Sequence, residues 1–222
     1  DGRRVALSVA VARAESLSPA PDPLLYLHGG PGAGVMEELR GIGQAFAPWR
    51  RRRDIVTFDQ RAAGLSAQAV SCLETTSESI VELMLAEMGE VDTRALIGRM
   101  VGPCLDELRA GGTVLPLYNT TENARDVRAV MSALGYGTYN IYGISYGTIL
   151  GLEVMRTAPA GLRSVVLDSV WPPDKAFYDE MAGPHDEAAV AIFDQCAADA
   201  ACAAAYPDLL DRFNALMDRL AA

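Results

Sequence analysis

The sequence predicts an α/β fold in which helices flank a mostly parallel, doubly wound β-sheet. Four short segments are mainly apolar or rich in β-branched or aromatic residues, as buried strands are: residues 24–27, 55–58, 139–142 and 162–167. Helical segments separate the later strands, and this alternation is typical of parallel sheets. Hydrophobic residues make up 50% of the chain and charged residues 22%, so we expect a packed globular core.

The remaining elements follow from local patterns. Residues 5–11 alternate loosely and predict one or two early strands of the sheet. Two helices lie between the later strands: one from a cap at Asn119 or Thr121 to about Leu134, with Gly135 as its C-cap, and one from about Tyr146 to Thr157.

Two regions depart from the alternation. The segment from about 67 to 118 is longer than an ordinary βα connection, so we interpret it as a helical insertion. Residues 174–222 are alanine-rich and helical, and we expect them to begin a helical cap over the carboxyl edge of the sheet. Residues 1–173 then belong to the α/β core.

Charge and hydropathy exclude two classes of partner. A net charge of −10 argues against nucleic acid, and we expect the one basic run, Arg50 to Arg53, to be solvated surface. No apolar run approaches the ~20 residues of a transmembrane helix, so no membrane span is predicted. The chain begins at Asp1 without a signal-like leader, so we expect any export signal to have been removed or never included.

The four cysteines predict disulfides rather than a metal site. Cys72, Cys104, Cys196 and Cys202 form no CxxC and have no histidine at ligand spacing, so we expect neither metal nor cofactor. Of the three possible pairings we favour the neighbouring ones, Cys72–Cys104 and Cys196–Cys202; four buried free thiols are the alternative. Disulfides favour an exported protein, periplasmic or extracellular, over a cytoplasmic one.

A G-x-S-x-G motif at residues 143–147 identifies Ser145 as the candidate nucleophile. It follows a predicted strand and opens a predicted helix, as a nucleophile elbow requires: a sharp strand-to-helix turn that presents the serine hydroxyl above the sheet. Side chains at Gly143 and Gly147 would collide with neighbouring segments, so both glycines have a steric role. The alternative is a strand–turn–helix junction with an incidental serine.

Acyl transfer also needs two N–H donors for the tetrahedral oxyanion. Tyr146, directly after the nucleophile, provides one; the loop containing Gly29 and Gly30 provides the other, because the missing Cβ lets the backbone approach the substrate. An ordinary turn is the alternative, and the loop lacks the features of a P-loop or a dinucleotide fingerprint. We interpret His28 as a structural histidine that bonds nearby backbone rather than as a base.

Three motifs follow one another along the chain: HGGPG at 28–32, DQRAAGLS at 59–66 and GISYGT at 143–148. Together they resemble the prolyl-iminopeptidase and tripeptidyl-aminopeptidase branch of the α/β-hydrolases. The SYGT ending, the cysteine-bearing insertion and LDSVWPP at 167–173 are more similar to the often exported tripeptidyl-aminopeptidase-like members. Within the second motif, Ala62 stands where these proteins usually have glycine, a change we expect to be tolerated.

The resemblance implies an α/β-hydrolase fold and a serine exopeptidase that cleaves N-terminal amino acids or short peptides through an acyl-enzyme. It also implies Gly30 and Tyr146 as the oxyanion N–H donors. An esterase or other small-acyl hydrolase is the alternative within this chemistry. A non-catalytic α/β-hydrolase-like binding or scaffold protein is the alternative from another class.

The activating residues of the expected triad are not found in this sequence. After Ser145 the only histidine is His185, which lies in the cap-like segment rather than after a late strand. Asp168 ends a strand, but the resemblance places the acid on a later strand. We therefore expect a fold truncated before its last strands, or one chain of a two-chain enzyme. Besides a peptide or small acyl substrate, its expected partner is the missing C-terminal half, without which it is inactive.

Overall fold

The computed structural model describes residues 4–66, 93–157, 159–175 and 182–220. The chain forms two compact units, Asp1–Pro172 and Pro173–Ala222. The strands of the first unit are β1 Val9–Ala12, β2 Leu24–Leu27, β3 Ile55–Phe58, β4 Tyr139–Ile144 and β5 Leu162–Asp168. Its helices are α1 Leu39–Ala45, α2 Ala47–Arg50, α3 Thr93–Ala110, α4 Thr120–Ala133 and α5 Tyr146–Thr157, with 3-10 turns at Met36–Glu38 and Leu115–Leu117.

The five strands form one mostly parallel sheet in the order β1-β3-β2-β4-β5. β1 runs antiparallel to β3, and the other neighbours are parallel. This arrangement confirms the predicted α/β fold class. The chain moves from β2 to β3 on one side and then returns to place β4 on the other side of β2. Open α/β sheets bind ligands at the carboxyl ends of strands where the order reverses in this way.

Helices cover both faces of the sheet. On one face Leu25, Val56 and Ile141 pack with Val127 of α4 and Leu150 of α5. The opposite face carries a second cluster, in which Leu24, Tyr26 and Ile55 pack with Val35, Ile42 and Phe46. Successive strand residues point to opposite faces, and both faces are buried here. Double burial explains why β2 and β3 are nearly continuous apolar runs rather than alternating ones.

The two helices and the later strands predicted for the sheet region are present, with shifted ends, whereas residues 67–92 of the predicted helical insertion lie outside the described residues. The predicted helix 146–157 is confirmed as α5, and β4 runs two residues further than expected, to Ile144. The extension occurs because Gly143 and Ile144 still pair with β5. At the start of the chain the strand is β1, Val9–Ala12, rather than residues 5–11.

The termini of α4 refine the capping prediction. The Asn119 side chain caps the helix by accepting the Glu122 N–H at 2.9 Å. Leu134, not Gly135, occupies the C-cap position. Gly135 follows it with φ +80°, a left-handed conformation in which glycine is favoured after a helix.

The second unit is helical, with α6 Ala182–Ala198, α7 Ala200–Ala205 and α8 Leu209–Leu220. A disulfide joins Cys196 to Cys202, which confirms that predicted pairing. Cys72 lies outside the described residues, so its pairing with Cys104 stays a prediction. In the described ranges of both units, no helix is long and apolar enough to cross a membrane.

Candidate active site

Ser145 occupies the sharp turn between β4 and α5. Its φ of +54° lies in the left-handed region, which is costly for a residue with a side chain, and the residue is exposed. Its N–H donates to the Asp168 carbonyl at 3.1 Å, and its carbonyl accepts the Thr148 N–H at 2.9 Å. The surrounding structure therefore holds this strained backbone on both sides.

Two glycines make the turn possible, as the sequence predicted. A Cβ on Gly147 would lie 2.1 Å from the Leu27 carbonyl oxygen at the end of β2. A Cβ on Gly143 would lie 2.3 Å from the Gly147 carbonyl oxygen. Both obstacles are backbone atoms, which cannot move aside as a flexible side chain would. The close contact with Leu27 brings the start of α5 against the end of β2.

The glycine-rich loop after β2 lies beside Ser145. A Cβ on Gly29 would be 3.0 Å from the Ser145 Cβ and 3.4 Å from its Oγ. Gly30 is exposed and has φ +116°, a conformation that side-chain-bearing residues rarely adopt. Tyr146 is the first residue of α5, and its hydroxyl lies 2.9 Å from the Thr120 Oγ1. Ser145 and the glycine loop thus meet where the strand order reverses.

A buried carboxylate forms hydrogen bonds with two loops at the carboxyl edge of the sheet, the one after β2 and the one after β3. Asp59, directly after β3, accepts N–H groups from Val35 at 2.5 Å, Met36 at 3.3 Å and Leu65 at 2.7 Å. It is 1% exposed. In the sequence, Asp59 stands out only as part of the DQRAAGLS motif. Val35 and Met36 lie far away in the chain, in the segment after β2, so the one available signal was a carboxylate directly after an apolar strand.

The two residues after Asp59 also have structural partners. Arg61 donates to both oxygens of the Asp126 carboxylate at 2.7 Å and to the Leu117 carbonyl at 2.5 Å. The hydrogen bond to Asp126 raises the pKa of Arg61 further. Gln60 is buried, and its amide donates to the His28 carbonyl at 3.4 Å. Through these hydrogen bonds the DQR motif connects the carboxyl end of β3 to α4 and to the glycine-rich loop after β2.

The two histidines occupy different units. The Nδ1 of His28 lies 3.0 Å from the Tyr26 hydroxyl, and its Nε2 lies 4.0 Å from the Glu38 carboxylate. The ring therefore bonds a tyrosine side chain; the expected backbone partner was wrong. Among the described residues, no hydrogen bond joins His28 to Ser145. His185 lies in α6 of the second unit and is exposed.

Asp168 contacts the turn through its backbone and a tyrosine through its side chain. Its carboxylate accepts the Tyr142 hydroxyl at 2.5 Å and the Ser169 hydroxyl at 3.2 Å. The bond to Asp168 raises the pKa of Tyr142, because it stabilises the protonated phenol. The carbonyl of Asp168 accepts the Ser145 N–H. Asp168 thus contacts Ser145 through a backbone hydrogen bond and not through its carboxylate, which bonds Tyr142 and Ser169.

Comparison with known proteins identifies the family. The sequence profile described as the alpha/beta hydrolase fold matches residues 22–204. The chain belongs to the α/β-hydrolase fold family. This α/β-hydrolase is 31% identical over 189 residues to the tripeptidyl aminopeptidase of Streptomyces lividans. The matched region covers 80% of the present chain and 34% of that protein. It is 27% identical over 172 residues to the proline iminopeptidase of Neisseria gonorrhoeae, and this match covers 76% of the present chain and 40% of that protein.

A solved structure agrees with the fold. The α/β-hydrolase MGS-M2, from a Medee basin deep-sea metagenome library, superposes with a TM-score of 0.50 at 14% identity. The match covers 98% of this chain and 60% of that one. Among the relatives matched by sequence, the tripeptidyl aminopeptidase is much longer, and the present chain spans about a third of its length. Within its described ranges, no group of three or more His, Cys, Asp or Glu residues is arranged to hold a metal ion.

Proposed function

We propose that this chain carries the nucleophile and the oxyanion hole of a serine hydrolase. The observation that carries the proposal is the exposed Ser145, held at φ +54° between β4 and α5 with Gly29 against its side chain. In the reaction, the Ser145 Oγ attacks the substrate carbonyl carbon and gives its proton to a general base. The collapse of the tetrahedral intermediate releases the amine or alcohol, which takes that proton, and water then hydrolyses the acyl-enzyme.

The oxyanion is proposed to bind two backbone N–H groups, those of Gly30 and Tyr146. As the first residue of α5, Tyr146 has an N–H without a carbonyl partner in its own helix. The positive end of the helix dipole adds to its attraction for negative charge. Gly30 belongs to the loop that lies against Ser145. Such preorganised donors stabilise the developing charge without reorganising during the reaction.

The general base and its acid partner are proposed to lie in the part of such enzymes outside these 222 residues. Two observations support this. His28 is held by Tyr26 rather than by Ser145, and the chain spans 34% of the tripeptidyl aminopeptidase that it resembles. Without a base, the serine hydroxyl stays protonated and is a weak nucleophile. The remaining portion is thus the proposed partner of this site.

We propose an exopeptidase that removes N-terminal amino acids or short peptides, because one relative is named a tripeptidyl aminopeptidase and the other a proline iminopeptidase. The test uses the product of the complete reading frame with matched anilides and esters of single amino acids and tripeptides. Hydrolysis of anilides with a free N-terminus, abolished by N-acetylation, supports the proposal. Turnover of esters alone indicates an esterase. If no substrate is turned over and Ser145→Ala behaves as wild type, the site is non-catalytic, as in a scaffold protein.

We also propose that the protein works in an oxidising compartment, since the Cys196–Cys202 disulfide persists mainly there. Thiol alkylation of protein taken directly from its native cells tests this. Resistance of both cysteines to alkylation before reduction is expected. Complete alkylation without reductant contradicts the proposal.

A further inference from the structure

A fully buried threonine links the strained serine to the segment that leaves β5. The Thr148 hydroxyl donates to the Ser145 carbonyl at 2.6 Å and accepts the Trp171 N–H at 2.9 Å. The Thr148 N–H donates to the same carbonyl at 2.9 Å. Thr148 is 0% exposed, so water is poorly placed to replace these bonds. One side chain therefore connects two segments 23 residues apart.

The geometry of the peptide bond extends the effect of this link to the oxyanion hole. The Ser145 carbonyl and the Tyr146 N–H belong to one planar peptide unit and point in opposite directions. Two donors from Thr148 fix the carbonyl, so they also fix the direction of the Tyr146 N–H. Loss of one donor would let the unit rotate, and small misplacements of catalytic groups are costly in rate.

The second segment has its own strain. Ser169 has φ +56°, a left-handed conformation that persists only when neighbouring contacts enforce it. It lies between Asp168, whose carbonyl accepts the Ser145 N–H, and Trp171, whose N–H donates to Thr148. Two hydrogen bonds thus join the turn at Ser145 and the start of α5 to residues 168–171.

We propose that Thr148 is a positioning residue, which orients the Tyr146 N–H and couples it to the segment 169–171. It acts through the Ser145 carbonyl and does not touch the reacting atoms. The inference rests on the proposed roles of Ser145 and Tyr146. Thr148→Val is nearly isosteric and removes the hydroxyl, whereas Thr148→Ser keeps it. Rescue by serine therefore separates the hydroxyl from the packing of the side chain.

The first measurement is the rate at which a fluorophosphonate labels Ser145 in the complete protein. Thr148→Val is expected to lower the second-order rate constant about tenfold, and Thr148→Ser to stay within about twofold of wild type. Circular dichroism checks that each variant is folded. A Thr148→Val protein that labels as fast as wild type overturns the inference, as does a Thr148→Ser protein that labels as slowly as Thr148→Val.

The second measurement is hydrogen–deuterium exchange of residues 169–173, where Pro172 and Pro173 carry no amide hydrogen. Faster exchange in Thr148→Val but not in Thr148→Ser supports the link; equal exchange in all three proteins overturns it. This readout does not require activity. If wild type is not labelled at all, the proposed function fails, while exchange still decides whether Thr148 couples the two segments.

A second pair of variants covers the case in which Thr148→Val does not fold. Trp171→Ala removes the indole ring and keeps the backbone N–H that donates to Thr148, whereas Trp171→Pro removes both the ring and this backbone N–H. Slower labelling in Trp171→Pro than in Trp171→Ala is expected. Equal labelling in these two variants contradicts a role for the Trp171–Thr148 bond.

Discussion

The Asp59 carboxylate accepts the Val35 N–H at 2.5 Å, which joins residues that lie 24 positions apart. Its other oxygen accepts the Leu65 N–H at 2.7 Å. Val35 follows the glycine loop after β2, and Leu65 lies in the loop after β3. The buried carboxylate therefore fixes both loops at the edge of the sheet where Ser145 is exposed.

Asp59→Asn is expected to destabilise the protein by about 2 kcal/mol and to slow labelling of Ser145, because an amide N–H₂ then faces backbone donors. Urea unfolding measures the first effect and a fluorophosphonate the second. Asp106→Asn is the control, since Asp106 makes an exposed ion pair with Arg109. If the two variants unfold and label alike, Asp59 does not hold the loops.

Gly147→Ala is expected to cost about 3 kcal/mol and to abolish labelling, because its Cβ would lie 2.1 Å from the Leu27 carbonyl oxygen. Gly98→Ala is the matched control. Among the described residues, and apart from the helix's own backbone, nothing lies within 4 Å of a Cβ on Gly98 inside α3, so alanine there should stabilise by roughly 0.5–1 kcal/mol. Thermal unfolding of both variants checks this, and a well-folded, labelled Gly147→Ala protein would contradict the geometry.

Ala62→Gly is expected to stabilise the protein by about 1 kcal/mol. Ala62 has φ +61°, where alanine is strained and glycine is not. The resemblance of the DQRAAGLS motif also leads us to expect glycine at this position. Ala129→Gly, on the exposed side of α4, should instead destabilise by about 0.5–1 kcal/mol. Equal losses of stability in the two variants, measured by urea unfolding, would show that Ala62 is not strained.

Asp22 is expected to make stability depend on pH at the acid end. Burial raises its pKa, but hydrogen bonds from Asn140, Arg163 and Arg53 outweigh burial and lower the pKa to about 2. Because the folded pKa is below the unfolded value near 3.8, the stabilisation is complete above about pH 4. It is lost as the pH falls through about 2.

The measurement compares wild type with Asp22→Asn in urea at pH 5 and pH 2. The difference in free energy of unfolding should shrink by about 2 kcal/mol between the two, since asparagine does not titrate. A difference that is the same at both pH values would assign the stabilisation to neutral packing rather than to the charge.

Local patterns were enough for most elements of the first unit. The runs Leu24–Leu27 and Ile55–Phe58 are apolar except for Thr57 because both sheet faces are covered, and the sequence carries that signal directly. The start of α5 followed from a motif whose chemistry requires a strand before it and a helix after it. Gly143 and Gly147 were predictable because a sharp turn leaves no space for a Cβ.

Contacts between distant segments were not predictable from one sequence. Arg61 pairs with Asp126 across 65 positions, and Thr148 accepts the Trp171 N–H across 23. No periodicity or spacing rule connects such residues, because the fold alone brings them together. His28 is a different case, because its Tyr26 partner lies only two residues earlier and the two-residue period of a strand could have indicated the contact.

The central claim is that Ser145 is the nucleophile, and covalent labelling tests it most directly. The product of the complete reading frame is treated with a fluorophosphonate, and the adduct is located by peptide mass spectrometry. We expect an adduct on Ser145 that disappears in Ser145→Ala and persists in Ser132→Ala, an exposed serine on α4. Absence of an adduct on Ser145 in the folded wild-type protein, or equal labelling of Ser145→Ala, would contradict the claim.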